Sequence, residues 1–190
     1  MAIARPAVPE RPAAFLDRDG VINEDRNYVF RVEDFHFLPG VLDACREFVR
    51  AGYLLVIITN QAGIARGYYD TRDFEKLTVW MKERFLEAGA PLTAVYHCPH
   101  HPEATVQSLR VACDCRKPAP GLILRAAREL GIDLGHSFLV GDKLSDIEAG
   151  RAAGVGKCFL MRTPRSAPPE PNSADSVVGS LAEVNNLIRP

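Results

Sequence analysis

The sequence lacks any long hydrophobic run and any strong excess of charge. Its 23 lysine and arginine residues are matched by 24 aspartate and glutamate residues, so the formal net charge is −1. A balance this even lacks the basic footprint of a nucleic-acid-binding protein. No apolar stretch approaches the roughly 20 residues that a membrane-spanning helix requires, and Met1–Pro12 lacks the apolar segment of a secretory signal. We therefore expect a cytoplasmic protein with no membrane or nucleic-acid partner.

Cysteine is scarce and unevenly placed. The five cysteines cannot all pair, and three of them lie in one stretch that also carries histidines, between residues 97 and 115. In a reducing compartment this arrangement favours a metal site over disulfides. Cys45 and Cys158 lie in apolar helix and strand patterns, so we expect both in the core.

Apolar strand patterns alternate with helical patterns along the 190 residues. Strands are predicted at 13–17, 53–59, 92–97, 137–140 and 155–161, and a short strand and helix at 177–188. Helices are predicted at 41–50, 71–88, 120–130 and from Ser145 to Ala153. The last of these begins with a capping-box pattern, Ser145–Glu148. Strands separated by such helices pair in parallel through right-handed crossovers. The pattern predicts an α/β fold with a doubly wound, Rossmann-like parallel sheet, in one domain over residues 13–190, with a flexible segment at 1–12 and a proline-rich connection at 163–176.

Five short polar segments are each expected to end a strand. They are residues 17–20, 59–61, 98–100, 113–118 and 141–143. Ligands of doubly wound sheets bind at the carboxyl ends of the strands. Because the segments supply three carboxylates, one hydroxyl and one lysine, they predict a magnesium-dependent phosphoryl-transfer site.

Asp17 and Asp19 are the carboxylate pair of this predicted site. Residues two apart at the end of an extended segment point the same way. One carboxylate can attack phosphorus as a nucleophile, and the other can protonate the leaving oxygen and then deprotonate water. Because two adjacent anions repel a phosphate, a hard cation such as Mg²⁺ is needed.

Three further side chains complete the predicted site. The hydroxyl of Thr59 and the ammonium of Lys117 can hold phosphoryl oxygens, and Asp142 can complete the ligand shell of Mg²⁺. Asp146 has two alternative roles, since it can either cap the following helix or orient Lys117.

The cysteine-rich stretch offers a complete tetrahedral ligand set for structural zinc. Cys98, Cys113 and Cys115 supply three thiolates and a histidine supplies the fourth ligand, which leaves no open position for chemistry. Spacing alone does not choose between His97, His100 and His101. Zinc at this place would staple the loop that carries Arg116 and Lys117, so it is expected to be structural.

The ordered set of segments resembles the signature motifs of the haloacid dehalogenase-like (HAD) superfamily of phosphohydrolases, from about Phe15 to Met161. The resemblance implies Asp17 as nucleophile and Asp19 as general acid/base. It implies Thr59 and Lys117 as phosphoryl stabilisers. The implied Mg²⁺ ligands are Asp17, the main-chain carbonyl of Asp19, and Asp142.

Longer stretches are similar to a narrower family, the D-glycero-D-manno-heptose-1,7-bisphosphate 7-phosphatases. They are residues 15–23, 59–69, 98–102 and 113–118. The family implies a monomer without a large cap domain, acting on a phosphorylated sugar for lipopolysaccharide or other heptosylated glycans, with zinc on Cys98, His100, Cys113 and Cys115. The implied substrate contacts are Asp25, Arg26, Asn27, Tyr28, Thr59, Asn60, Gln61, Ala62, Arg116, Lys117 and Lys143.

Two other functions compete with this one. Histidinol-phosphate phosphatase has the same motifs and zinc, but the stretch Gly63–Tyr69 matches the heptose enzymes better. A non-catalytic, zinc-stapled phosphate-binding module would not need a nucleophile, and the carboxylates argue against it. For the distal phosphate of a bisphosphate, Arg116 is the first candidate because a guanidinium can form two parallel hydrogen bonds, and Arg66 is the second.

Overall fold

The computed structural model describes residues 10–162 and 174–188. In these ranges six strands form one parallel sheet in the order β3-β2-β1-β4-β5-β6. The strands are β1 Ala13–Leu16, β2 Leu54–Asn60, β3 Leu92–Cys98, β4 Phe138–Gly141, β5 Lys157–Met161 and β6 Ser176–Val178. The helices are α1 Val41–Arg50, α2 Ala62–Ala65, α3 Thr71–Glu87, α4 Gly121–Leu130, α5 Leu144–Ala153 and α6 Leu181–Ile188. The predicted doubly wound α/β fold is confirmed.

Helices cover both faces of the sheet, which explains why its central strands are apolar throughout. All four residues of β1 are buried, and successive residues face opposite layers. Leu16 packs in the core beneath α1, α3 and α6, whereas Phe15 packs in the core beneath α4 and α5. The described chain carries no cap domain, and none of its helices combines the length and apolarity needed to cross a membrane.

The strand order places the switch of chain direction between β1 and β4. The chain moves outward from β1 to β3, then returns to the other side of β1 and moves outward from β4 to β6. The amide of Asp17 bonds the carbonyl of Val140 at 2.9 Å, which joins the ends of the two central strands. The crevice at such a switch point is where doubly wound sheets bind ligands.

The N-terminal and proline-rich predictions fall partly outside the described ranges. Residues 1–9 and 163–173 are outside them. Within them, Arg11 already pairs with Ile132 in a parallel bridge, and Ser176 begins β6.

Two local predictions are wrong. The segment 113–118 does not end a strand, because only a loop and the 3₁₀ helix Gln107–Leu109 separate β3 from α4. Helix α5 begins at Leu144 rather than at a capping box of Ser145 and Glu148. The carboxylate of Asp146 accepts a bond from the amide of Lys143 at 3.0 Å, so the cap forms one step earlier.

Candidate active site

A buried lysine links two aspartates at the switch point. Lys117 Nζ lies 2.6 Å from Asp146 Oδ1 and 3.1 Å from Asp17 Oδ1, and it donates to the carbonyl of Ile58 at 2.8 Å. All three ionisable residues are buried. Asp146 therefore serves both of its alternative roles, since one oxygen holds Lys117 and the other caps α5.

Burial and charge act in opposite directions on this cluster. Burial alone would lower the pKa of Lys117, but the carboxylates of Asp146 and Asp17 outweigh it and raise that pKa, so the ammonium stays charged. Burial raises the pKa of Asp17, helped by the nearby Asp146, against the opposing ammonium of Lys117. The lysine therefore offers a permanent positive charge beside a desolvated carboxylate.

Asp142 supplies the feature that fits a divalent cation. Its Oδ1 is buried and has no hydrogen-bond partner among the described residues. Oxygens of Asp17, Asp142 and Asp146 all lie within 4.8 Å of one another. Burial, with the Asp17 carboxylate next in size, raises the pKa of Asp142 to about 7. A desolvated carboxylate oxygen that has no hydrogen bond, with only Lys143 Nζ 3.8 Å away and two other carboxylates close by, suits the oxygen-ligand preference of Mg²⁺.

Gly20 makes room for this carboxylate. Its φ is +84°, a left-handed conformation, and a Cβ there would lie 2.4 Å from Asp142 Oδ2. Both constraints favour glycine directly after the Asp17–Asp19 pair.

The carboxylate of Asp19 is held by its neighbours. It receives bonds from Arg18 Nη2 at 3.0 and 2.8 Å and from Asn23 Nδ2 at 3.0 Å, and Gln61 Nε2 lies 3.4 Å away. Arg18 is only 1% exposed and also donates to the carbonyl of Val29. Sequence reasoning missed Arg18 and Asn23, although an arginine between the two aspartates of the predicted pair was a usable signal.

A cavity of about 540 Å³ opens beside these groups. It gathers most of the predicted site residues: Asp17, Asp19, Asp25, Asn27, Tyr28, Thr59, Asn60, Gln61, Ala62, Arg116, Lys117 and Lys143 line it together with Tyr69, Pro118, Ser145 and Asp146. Arg26 is the one predicted contact outside this lining, because its guanidinium pairs with Glu24 at 2.7 Å. Asp142 lines an adjoining cavity with Gly20 and Asp25.

The loop that carries Asp25 to Tyr28 adopts an unusual backbone. Asn27 and Tyr28 have φ values of +61° and +56°, which non-glycine residues seldom adopt. The Tyr28 ring packs edge-on against Tyr68, with centroids 4.7 Å apart. Consecutive residues of this kind cluster at ligand-binding loops.

Asn60 has a structural role that its predicted substrate contact did not include. Its side-chain amide donates to the carbonyl of Lys117, and its oxygen accepts from the amide of Lys117, both at 3.1 Å. The end of β2 therefore fixes the backbone that delivers the buried lysine. The peptide bond between Lys117 and Pro118 is cis.

The cysteine-rich loop brings together four possible metal ligands. The sulfurs of Cys98, Cys113 and Cys115 lie 3.1 to 3.6 Å apart, and His100 Nδ1 lies 3.3 Å from Cys115 and 3.8 Å from Cys98. A tetrahedral zinc site with ordinary bond lengths has edges of roughly 3.5 to 3.8 Å. All three cysteines are free thiols. The cluster could therefore bind zinc, with all four ligand positions filled by protein.

The other histidines have different partners. His97 packs against the ring of Phe74, with centroids 4.2 Å apart, and His101 Nδ1 accepts from the amide of Glu103. The structure therefore selects His100 from the three histidines that spacing left open.

Loss of the zinc ligands is expected to loosen the catalytic loop. Cys113→Ser should reduce bound zinc, lower the melting temperature and lower kcat/KM by about tenfold or more, because Arg116 and Lys117 directly follow the cluster. Elemental analysis, thermal denaturation and phosphate release measure the three effects. Cys45→Ala, in α1 and away from the cluster, is the control and should keep its zinc. Full activity in a zinc-free Cys113→Ser protein would contradict the stapling role.

The sheet order, the paired aspartates after β1 and the buried lysine beside Asp17 define a HAD-like hydrolase. The HAD-hydrolase-like family model matches residues 114–184. This part of the chain includes Lys117, Asp142 and Asp146.

Individual relatives narrow the class to a family. The chain is 48% identical over 179 residues to D-glycero-beta-D-manno-heptose-1,7-bisphosphate 7-phosphatase of Escherichia coli K12, covering 94% of each chain. It is 46% identical over 159 residues to the corresponding D-glycero-alpha enzyme of Photorhabdus laumondii, covering 83% of this chain and 87% of that one. The crystal structure of D,D-heptose 1,7-bisphosphate phosphatase from B. bronchiseptica, complexed with magnesium and phosphate, has a TM-score of 0.80 and 31% identity and covers 93% of this chain and 97% of that one. The chain belongs to the D-glycero-D-manno-heptose-1,7-bisphosphate 7-phosphatase family, which confirms the family predicted from the motifs.

Proposed function

We propose that this protein removes the C7 phosphate of D-glycero-D-manno-heptose 1,7-bisphosphate and releases heptose 1-phosphate. The observation that carries the proposal is the cluster of Asp17, Lys117 and Asp142 at the switch point, in a chain of this family. The product would serve as a precursor of nucleotide-linked heptose for lipopolysaccharide. We place the protein in the cytoplasm as a monomer.

In the first half-reaction Asp17 attacks phosphorus. One oxygen of Asp17 forms the new P–O bond while the bond to the sugar oxygen breaks, and Asp19 donates a proton to that oxygen. Lys117 neutralises charge on the phosphoryl oxygens, and the Thr59 hydroxyl donates to one of them. A Mg²⁺ ion held by Asp17, Asp142 and the main-chain carbonyl of Asp19 would supply further positive charge beside the phosphate.

In the second half-reaction water cleaves the aspartyl phosphate. Asp19, now ionised, takes a proton from the water as its oxygen attacks phosphorus, and Asp17 leaves as a carboxylate. Phosphate is released and both aspartates return to their starting states. The surrounding donors on Asp19 keep its carboxylate within reach of both the leaving oxygen and the water.

Arg116 is assigned to the distal phosphate at C1. It lines the same cavity as Lys117, next to it in sequence, and one guanidinium nitrogen bonds the carbonyl of His100 at 3.2 Å. That bond anchors the side chain to the zinc loop. The remaining guanidinium hydrogens suit paired bonds to a phosphate.

The direct test is phosphate release from both anomers of the heptose bisphosphate and from histidinol phosphate. Each substrate is assayed with Mg²⁺ and again with a chelator present. We expect the heptose bisphosphates to be hydrolysed much faster than histidinol phosphate, and only with the metal. Preference for histidinol phosphate would overturn the assigned substrate, and no hydrolysis of any ester would overturn the enzyme assignment.

Removing Arg116 is expected to separate bisphosphate from monophosphate substrates. Arg116→Ala should lower kcat/KM by about tenfold or more for heptose 1,7-bisphosphate, because a charge-assisted hydrogen bond is lost, and by less than about threefold for heptose 7-phosphate, which lacks the distal group. Steady-state phosphate release measures both. Arg26→Ala is the matched control, since that guanidinium pairs with Glu24 outside the cavity lining. Equal losses on the two substrates would remove the distal role.

A further inference from the structure

Three buried side chains form a continuous hydrogen-bonded chain in the wall of the cavity. The hydroxyl of Tyr69 bonds Gln61 Oε1 at 2.5 Å, and Gln61 Nε2 bonds Thr59 Oγ1 at 2.9 Å. The three residues are 6%, 2% and 1% exposed. The hydrogen-bonded chain therefore runs from a residue without a role in the proposed mechanism to the hydroxyl that this mechanism assigns to the phosphoryl group.

The surroundings define the direction of each bond. Gln61 Nε2 also approaches Asp19 Oδ2, an oxygen that already accepts from Arg18 Nη2 at 2.8 Å. The nitrogen of the Gln61 amide therefore faces Asp19 and Thr59, and its oxygen faces Tyr69, which must donate. Because Thr59 Oγ1 accepts from Gln61, its own hydrogen is left for an acceptor in the cavity. Thr59 Oγ1 donates to none of the described residues.

Packing holds Tyr69 so that its hydroxyl reaches Gln61. Its ring stacks on Phe30, with centroids 4.9 Å apart and planes 9° apart. The Tyr69 ring also lies so close to the backbone of residue 63 that only glycine fits there, since a Cβ would lie 2.1 Å from the ring. This contact gives a physical reason for both ends of the Gly63–Tyr69 stretch that distinguished the heptose enzymes in the sequence.

We propose that Tyr69 is a positioning residue that acts through Gln61 to aim the hydroxyl of Thr59 at the transferring phosphoryl group. The proposal rests on the proposed function for the role of Thr59. Without the Tyr69 hydroxyl, Gln61 Oε1 loses its donor, and only the 3.4 Å contact with Asp19 still favours this orientation of the amide. Thr59 can then rotate its hydrogen away from the phosphate.

A double-mutant cycle tests the proposal with p-nitrophenyl phosphate, so the test does not depend on the sugar. Tyr69→Phe is expected to lower kcat about fivefold and to change KM by less than about twofold, because one hydrogen bond between uncharged groups is removed while the ring remains. In a Thr59→Val background the same change should have no further effect. Tyr96→Phe is the matched control, since it removes a tyrosine hydroxyl bonded to Glu129 on the surface.

The same double-mutant cycle can be measured without turnover from the affinity for vanadate, determined by calorimetry. Tyr69→Phe should weaken vanadate binding by the same factor as kcat when Thr59 is present, and should have no effect in the Thr59→Val background. An unchanged kcat in Tyr69→Phe, or an equal loss in both backgrounds, would overturn the proposal. If the wild-type protein hydrolyses p-nitrophenyl phosphate but not the heptose bisphosphate, the assigned substrate is overturned. The double-mutant cycle of Tyr69 and Thr59 would still test the positioning role of Tyr69 in that case.

Discussion

Asp17→Asn is expected to abolish turnover while the protein remains folded. The amide can still accept the bonds that Asp17 Oδ1 receives from the amide of Arg18 at 2.7 Å and from Lys117. It cannot form the acyl phosphate that the carboxylate forms, so kcat should fall by at least about 10⁴-fold, as when other covalent catalysts lose their nucleophile. Phosphate release measures the loss, and mass spectrometry after an acid quench should find a phosphoryl group on the Asp17 peptide of the wild type only.

The same substitution should stabilise the metal-free protein at neutral pH. Burial raises the pKa of Asp17, with Asp146 adding to the effect and Lys117 opposing it. A carboxyl group whose pKa is raised by folding loses its contribution to stability as the pH rises through that pKa. Asparagine carries no charge to bury, so the variant should melt at a higher temperature than wild type in the presence of a chelator at pH 7.

Asp25→Asn is the matched control for charge, because Asp25 lines the same cavity and its carboxylate pairs with Lys143 at 3.5 Å. It should retain turnover and change mainly KM. Asp17→Asn protein that retained more than about a hundredth of wild-type kcat would exclude the nucleophile role, since a nucleophile is worth far more than that. A lower melting temperature in that variant would contradict only the electrostatic argument.

The location of the site could be predicted from the sequence because the carboxyl ends of parallel strands lie at the same edge of a sheet. The polar residues after β1, β2 and β4 lie in three distant parts of the sequence, but one topology rule brings them to one crevice. The three zinc thiolates were predictable from residue types within a short loop, whereas the choice of His100 among three histidines was not. In both cases the information lay in the residue types and in their places relative to the predicted strands and loops.

Several other contacts depend on packing between elements, so the sequence offers at most alternatives for them. Lys117 meets Asp146 across 29 positions of sequence, in a cluster that also requires the end of β2. The bond of Arg18 to the carbonyl of Val29 and the bond of Tyr69 to Gln61 each require a loop to fold back. For Arg26 the structure shows a contact with a residue close by in sequence. Its guanidinium pairs with the carboxylate of Glu24 rather than lining the cavity.

Lys117→Met is expected to damage both catalysis and folding. The side chain is 3% exposed and neutralises two buried carboxylates, Asp17 and Asp146. Removing one partner of a buried ionic cluster typically costs about 3–5 kcal/mol, because the remaining charges stay desolvated without a counter-charge. The loss of a preorganised cation at the phosphoryl group should also lower kcat by about 10²–10³-fold. Urea denaturation and phosphate release measure the two effects.

The pH dependence and a compensating substitution separate this mechanism from a simple packing defect. Without the ammonium that opposes it, the pKa of Asp17 rises further, so the stability deficit should be larger at pH 8 than at pH 5. Adding Asp146→Asn to Lys117→Met removes one uncompensated charge and should recover part of the lost free energy of unfolding. Lys143→Met is the control, because that lysine is 57% exposed and its ion pair with Asp25 should be worth less than about 1 kcal/mol. A deficit independent of pH and unaffected by Asp146→Asn would mean that the aliphatic packing of Lys117, rather than its charge, holds this part of the fold together.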